Sequence, residues 1–191
     1  MDIKVDRRVE RTKRDLRTAF LNLIEKNDMQ ELTVKEITDY ANYNRSTFYA
    51  HYSDKNELIE EVIEEAIQGF ISRMEPTFQN GEIPIYVKLS LKTSQAVFSY
   101  VEENQLFFTL LFDVNKFSGF QEKLGLAIAA LIENDVHFLS QFKGVLDEKL
   151  YCYTQASSFV GRLNFWVKQE YAFSTEYMAT QMVEYMKLFN K

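Results

Sequence analysis

The wide spacing of helix-breaking residues constrains this chain more than any other feature. No glycine or proline occurs before Gly69, and both prolines, Pro76 and Pro84, fall in one window that also holds Gly81. On both sides of this window apolar residues recur at three- and four-residue steps, which is typical of amphipathic helices. The sustained alternation that marks strands is absent from the sequence. The pattern therefore predicts an all-α chain with a boundary at residues 76–84.

Composition narrows the classes of function. The 46% hydrophobic content is enough for a packed core. One cysteine, Cys152, and two histidines cannot build a disulfide framework or a Cys/His zinc site. The sequence shows neither a signal-peptide pattern nor an apolar stretch long enough to span a bilayer, so we expect a cytoplasmic protein without membrane contact, metal or cofactor. Because the formal net charge is −6, any binding to nucleic acid must depend on local charge.

The first third of the chain predicts four helices, near residues 9–26, 34–41, 45–52 and 54–74. Thr33 and Glu36 form a capping-box pattern at the start of the second helix. Asn42 is suited to a left-handed turn, and Asn44 to capping the third helix. The capping-box spacing recurs at Asp54 and Glu57 before the fourth helix. We expect the acidic residues of that long helix to face solvent: Glu57, Glu60, Glu61, Glu64 and Glu65.

Two short helices joined by a turn of about four residues make a helix-turn-helix unit, whose second helix can enter a DNA major groove. We interpret residues 45–52 as that recognition helix, with Phe48 as its core residue. Arg45 can bridge two acceptors of a guanine, and Ser46 and Thr47 can bond bases or phosphates. At the far end of the helix Tyr49, His51 and Lys55 can donate to phosphates.

The run LTVKEITDYANYNRSTFYAHYSDKNELIEEV, residues 32–62, resembles the DNA-binding segment of TetR/AcrR-type transcriptional regulators. Asn42, Asn44 and Ser46 depart from the usual Gly, Ser and Gly of that family, each by a physically compatible exchange. The resemblance implies phosphate contacts by Thr33, Tyr49, His51 and Lys55, and places Arg45, Ser46 and Thr47 nearer to base edges. The match is carried by Thr33, Val34, Ile37, Ala41, Thr47, Phe48, Tyr49, Tyr52, Lys55 and Leu58.

The resemblance implies three parts. Residues 1–53 form a three-helix helix-turn-helix headpiece with a basic leader at 1–8, residues 54–75 form a long connecting helix, and residues 76–191 form an all-helical domain for dimerisation and ligand binding. The stretch 157–186 is similar to the last two helices of regulators of dihydroxyacetone kinase. Helical periodicity in the last part predicts helices near 86–102, 105–113, 118–141, 147–168 and 175–189.

Two sets of residues in the last part are candidates for contacts with a partner. Small residues on the helix near 147–168 let a second helix approach closely. Since the resemblance implies dimerisation through the last two helices, they and neighbouring large residues are candidates for a dimer face, with packing inside the domain as the alternative; the candidates are Ser157, Gly161, Phe165, Trp166 and Met182. Aromatic residues either line a pocket for a small apolar or aromatic ligand or fill an ordinary core; they are Phe98, Phe108, Phe112, Phe138 and Tyr151.

The sequence thus predicts a homodimeric regulator that binds a double-stranded DNA operator, most simply a repressor released by a small ligand. The alternative is a ligand-independent DNA-binding adaptor or co-regulator that acts with a protein partner. An enzyme is disfavoured because the sequence holds no nucleophile elbow, glycine-rich phosphate loop or H-E-x-x-H motif.

Overall fold

The computed structural model describes residues 7–78, 91–134 and 147–188, and these ranges contain helices, turns and bends but no strand. The all-α prediction is confirmed. No helix in the described ranges is long and apolar enough to cross a membrane. The helices are α1 (Arg7–Lys26), α2 (Val34–Tyr40), α3 (Arg45–Tyr49), α4 (Lys55–Phe78), α5 (Leu91–Glu103), α6 (Gln105–Phe112), α7 (Phe120–Glu133), α8 (Glu148–Lys168) and α9 (Thr175–Leu188).

The chain forms two compact units, residues 1–65 and residues 66–191, so the boundary lies within α4. The division into residues 1–53, 54–75 and 76–191 stays a prediction about function.

The first unit is a small helical headpiece. The apolar face of α1 includes Leu16, Phe20 and Ile24, all fully buried. They share the core with Ile37 of α2 and Phe48 of α3, which are also fully buried. The predicted capping box is present, since Glu36 N donates to Thr33 Oγ1 at 3.3 Å and Thr33 N donates to Glu36 Oε2 at 2.8 Å.

The turn between α2 and α3 depends on Asn42, whose φ of 57° is left-handed as predicted. Asparagine tolerates this conformation better than most non-glycine residues. Tyr43 N then donates to Thr38 O at 2.8 Å and closes the turn. A chain segment without glycine can therefore make the sharp change of direction that a helix-turn-helix unit needs.

In the second unit α8 packs against α7, and α9 packs against α5. Gly125 of α7 brings its backbone close to α8, since an added Cβ would lie 3.9 Å from Val160 Cγ2. Phe98 of α5 reaches α8 as well, since its ring centroid lies 6.2 Å from that of Phe159. The ring of Phe70 meets Phe159 edge to face, with the centroids 5.5 Å apart. The core of this unit is therefore rich in aromatic rings.

Three predicted C-terminal helix ends differ from the structure by more than one residue. α4 continues to Phe78 instead of ending before Pro76, because a proline near the end of a helix removes only one backbone hydrogen bond. α3 ends at Tyr49 rather than Tyr52, and residues 50–51 form a turn. α7 ends at Glu133 with a C-cap at Asn134, whereas periodicity had extended it to residue 141; residues 135–141 lie outside the described ranges.

Candidate nucleic-acid interface

The candidate recognition helix α3 begins through its backbone. Asn44 is extended at the N-cap, with φ −82° and ψ 154°, and its carbonyl accepts from Thr47 N at 2.9 Å. Asn44 is thus the N-cap residue, as predicted, but its side chain makes no capping hydrogen bond. The extended backbone alone directs the carbonyl into the first turn, and the side chain remains exposed.

Opposite faces of α3 have opposite character. Phe48 is fully buried, with its ring centroid 5.3 Å from that of Tyr52, which is 1% exposed. This burial confirms Phe48 as the core residue. Arg45 and Ser46 are exposed, and Tyr49 keeps 57% of its surface exposed. The buried ring thus anchors a short helix whose outer face carries groups that can bond to DNA.

The start of α2 presents a second polar edge. Thr33 is exposed, but its hydroxyl already donates to Glu36 Oε2 at 2.7 Å. Hydrogen bonds from Thr33 lower the pKa of Glu36, so this carboxylate stays charged at neutral pH. Lys35 is exposed beside this pair. A phosphate that approaches Thr33 would therefore also meet the cation of Lys35 and the anion of Glu36.

A hydrogen bond that could not be predicted from the sequence joins the turn between α2 and α3 to α1. Tyr43 Oη donates to Asp15 Oδ2 at 3.0 Å, across 28 residues of chain. The same turn contributes to a polar hollow on the surface of the first unit; its lining residues are Asp39, Asn42, Tyr43, Asn44 and Thr47.

Glu61 is the centre of a half-buried cluster that joins α1 to α4. It accepts hydrogen bonds from Lys13 Nζ at 2.5 Å, Arg17 Nη1 at 2.7 Å and Tyr52 Oη at 2.8 Å. Burial alone would raise the pKa of Glu61, but these donors outweigh burial and lower it. The expectation that Glu61 faces solvent is wrong, because the basic face of α1 covers it.

This cluster neutralises part of the positive charge of α1. Lys13 bonds to Glu61, and Arg17 bonds to both Glu61 and Glu65. These two cations are therefore neutralised within the unit. Residues 1–65 hold 11 basic and 15 acidic residues in all. Because acidic residues outnumber basic ones, any attraction of this unit for a polyanion depends on where single cations lie, and Arg45 and Lys35 are exposed.

Lys55 and His51 follow the recognition helix. The ammonium of Lys55 donates to three backbone carbonyls, those of Met29 at 2.6 Å, Gln30 at 3.2 Å and Leu32 at 2.8 Å. His51 is half-buried in the turn after α3. These three carbonyls can engage all three protons of the Lys55 ammonium within the chain.

The candidate ligand residues lie mainly in the core of the second unit. Phe98, Phe108 and Phe112 are buried; Phe98 meets Trp166 edge to face at 5.4 Å, and Phe112 meets Phe120 at 5.4 Å. The other two candidates differ. Tyr151 is half-buried, which raises the pKa of its phenol to about 12, and Phe138 lies outside the described residues.

The candidate dimer residues separate into exposed and buried sets. Ser157 and Gly161 are exposed on α8, and Phe165 keeps 54% of its surface exposed. Trp166 and Met182 are buried at 0% and 2% exposure. Because these two side chains are covered within the unit itself, they cannot supply area to an interface with a second copy.

The last two features of the described residues concern the reactivity of the cysteine and the binding of metal ions. Cys152 is buried, which raises the pKa of its thiol to about 11 and keeps the thiol protonated at neutral pH. Within the described ranges no group of three or more His, Cys, Asp or Glu residues is arranged to hold a metal ion.

Comparison with protein families gives two matches. Residues 16–62 match the family described as "Bacterial regulatory proteins, tetR family", and residues 90–188, just over half of the chain, match "Transcriptional regulator C-terminal region" of the TetR type. A curated relative, the uncharacterised HTH-type transcriptional regulator YxbF of Bacillus subtilis (strain 168), is 39% identical over 72 residues. Those residues are 37% of this chain and only 19% of the relative.

Solved structures share the fold along almost the whole chain. A TetR-family transcriptional regulator from Syntrophomonas wolfei is 13% identical with a TM-score of 0.75, covering 94% of this chain and 95% of that one. The dihydroxyacetone kinase operon activator DhaS is 18% identical with a TM-score of 0.63, covering 93% and 94%. A TetR regulator from Streptococcus agalactiae 2603V is 23% identical with a TM-score of 0.60, covering 95% and 96%.

Proposed function

Because this chain belongs to the TetR family of bacterial transcriptional regulators, which are DNA-binding proteins and not enzymes, we propose that it is a homodimeric repressor released from its operator by a small-molecule ligand. It acts in the cytoplasm, where two copies place their α3 helices in successive major grooves. The half-site centres are then about 34–36 Å apart, which is one turn of DNA.

The exposed face of α3 is the observation that carries this proposal. Arg45 and Ser46 are exposed on a short helix that is held in place by the buried ring of Phe48. Arginine can donate two hydrogen bonds to O6 and N7 of guanine. Ser46 and Thr47 add contacts near the same base edges, while Thr33, Tyr49 and His51 approach phosphates.

The dimer uses the exposed surface of α8 and the segment that leads into α9. Phe165 stacks on Phe173 at 6.2 Å, and Phe173 stacks on Tyr177 at 5.3 Å. Phe165 and Tyr177 each keep about half of their surface exposed. Next to this aromatic row a Cβ added at Gly161 would meet no atom within 4 Å, so a second helix has room to approach. We exclude Trp166 and Met182 from this interface because they are buried.

A ligand would bind in the second unit among its aromatic side chains. Two buried polar atoms of this unit, Ser94 Oγ and Asn164 Oδ1, have no hydrogen-bond partner among the residues that the structure describes. Buried polar atoms normally have partners, and these two could bond to a polar group of an otherwise apolar ligand. A ligand that prefers conformations unable to bind the operator would release the DNA.

Equilibrium binding to fluorescent DNA tests the proposal. The duplexes are the region upstream of the protein's own gene and a scrambled copy, at low and near-physiological salt. We expect two protomers per site and a preference for the upstream DNA that survives the higher salt. Arg45→Ala should weaken specific binding by about 1–3 kcal/mol per half-site and reduce the preference.

The matched control is Lys123→Ala, which removes one exposed positive charge from α7 in the second unit. It should leave specific binding unchanged. Equal binding to both duplexes, with Arg45→Ala no weaker than the control, would contradict sequence-specific recognition by α3. Ligands are found as compounds that raise the melting temperature and release the DNA. If none does so, the ligand-independent alternative with a protein partner is favoured.

A further inference from the structure

Three backbone carbonyls in the segment between α1 and α2 accept hydrogen bonds from one ammonium group, that of Lys55. The carbonyl oxygens of Met29, Gln30 and Leu32 all lie within hydrogen-bond distance of Lys55 Nζ, at 2.6, 3.2 and 2.8 Å. The lysine is 23 to 26 residues further along the chain, at the first position of α4. The contact therefore joins the segment that precedes α2 to the first residue of α4.

An ammonium group has three protons and no acceptor. The three carbonyls can engage all three protons, so a DNA phosphate could bond to Lys55 only by displacing one of them. Lys55 is thus half-buried and bonded to backbone carbonyls, whereas Lys35 of the same unit, with the same charge, is exposed to solvent.

The carbonyls that Lys55 binds lie next to Thr33, which we have proposed to approach a DNA phosphate. Leu32 is buried and directly precedes Thr33, the N-cap of α2. Fixing the carbonyl of Leu32 therefore fixes the start of α2, where Thr33 and Lys35 would meet phosphates. Leu32 N donates to Asp28 O at 3.2 Å, which closes the same segment from within.

We propose that Lys55 is a positioning residue: its ammonium holds the segment from Met29 to Leu32 so that α2 keeps its place beside α3, and it does not itself bind a phosphate. This inference rests on the proposed DNA-binding function only for its effect on operator recognition. Its effect on the headpiece itself is independent of DNA.

Two lysine variants separate the roles. Lys55→Met removes the charge and the three hydrogen bonds but keeps the length of the side chain. Lys35→Ala removes an exposed lysine and is the matched control. For each variant we would measure the melting temperature, the exchange of the Leu32 amide hydrogen and the slope of log K against log salt concentration for operator DNA.

We expect Lys55→Met to lower the melting temperature by about 4–8 °C and to speed exchange at Leu32, because three hydrogen bonds from a charged donor are lost. Its salt slope should stay equal to that of the wild type, while its preference for operator over scrambled DNA falls. Lys35→Ala should keep the melting temperature and the exchange rate, and should reduce the slope by about one unit per phosphate lost. A Lys55→Met protein that keeps its melting temperature and loses slope as Lys35→Ala does would overturn the proposal.

Lys55→Arg covers the case in which the methionine variant does not fold. A phosphate contact tolerates arginine, which also binds phosphate, so melting temperature and affinity would both be retained. The planar guanidinium does not reproduce three bonds from one nitrogen, so a positioning role predicts faster exchange at Leu32 and a lower melting temperature. If the wild type shows no specific DNA binding, the proposed function fails, and the exchange and melting data still decide the role of Lys55.

Discussion

Replacing Glu61 by glutamine removes one negative charge from a site where two cations and a phenol meet. Lys13, Arg17 and Tyr52 donate to its carboxylate at 2.5, 2.7 and 2.8 Å. A hydrogen bond to a charged group contributes about 1.5–3 kcal/mol. Arg17 keeps a second partner, Glu65, at 2.8 Å, and the amide oxygen of glutamine still accepts. We therefore expect a net cost of about 2 kcal/mol at pH 7, less than that of breaking a fully buried pair.

The dependence of this cost on pH follows from the pKa of Glu61. Its pKa is lowered in the folded protein, so its stabilising contribution is present above the unfolded pKa of about 4.3 and is lost as pH falls through the folded value. Urea unfolding of wild type and Glu61→Gln should therefore differ most at neutral pH and converge in acid. The decrease must occur below about pH 4.

The matched control for this experiment is Glu25→Gln, which removes an exposed carboxylate of α1 and should change the unfolding free energy by less than about 0.5 kcal/mol. A cost at Glu61 no larger than at Glu25 would refute the cluster as a source of stability. A large cost that stays constant from pH 7 to pH 3 would mean that packing, and not the charge, is responsible.

The remaining predictions concern the second unit. Gly69→Ala should destabilise by about 1 kcal/mol despite the better helix propensity of alanine, because the new Cβ overlaps Tyr100 Oη and lies 2.6 Å from its Cζ; urea unfolding that shows a more stable variant would contradict this. Cys152, with its pKa raised to about 11 by burial, should react with a thiol reagent at pH 8 only after unfolding, so rapid labelling of the native protein would disprove its burial. Phe165→Ser should raise the dimer dissociation constant in sedimentation equilibrium, whereas Leu126→Ser, an exposed leucine of α7, should not; equal effects would remove Phe165 from the interface.

Local signals made the headpiece predictable. The capping box at Thr33 and Glu36 is a contact three residues long, and the left-handed Asn42 follows from the conformational preference of one residue. The burial of Phe48 follows from helical periodicity over a few positions. Each of these features can be recognised without knowing which distant segments meet.

The contacts that the sequence analysis missed join distant parts of the chain. Glu61 meets Lys13 across 48 residues, and Lys55 meets Met29 across 26. A charged residue on a helix looks solvent-exposed until the neighbouring helix is placed, which is why Glu61 was assigned to the outer face. Trp166 shows the same limit for apolar residues, since the spacing of a side chain along α8 does not tell whether its own unit or a second copy covers it.

Chemical protection of the bound operator tests the central claim most directly. Dimethyl sulfate modifies N7 of guanine in the major groove, the atom that Arg45 is proposed to engage. We expect two protected guanine positions, symmetrically placed with centres about 10–10.5 base pairs apart, and loss of both protections with Arg45→Ala at protein concentrations that still saturate the DNA. Guanines that remain reactive in the wild-type complex, or a protection pattern that Arg45→Ala leaves unchanged, would contradict recognition of the operator by α3.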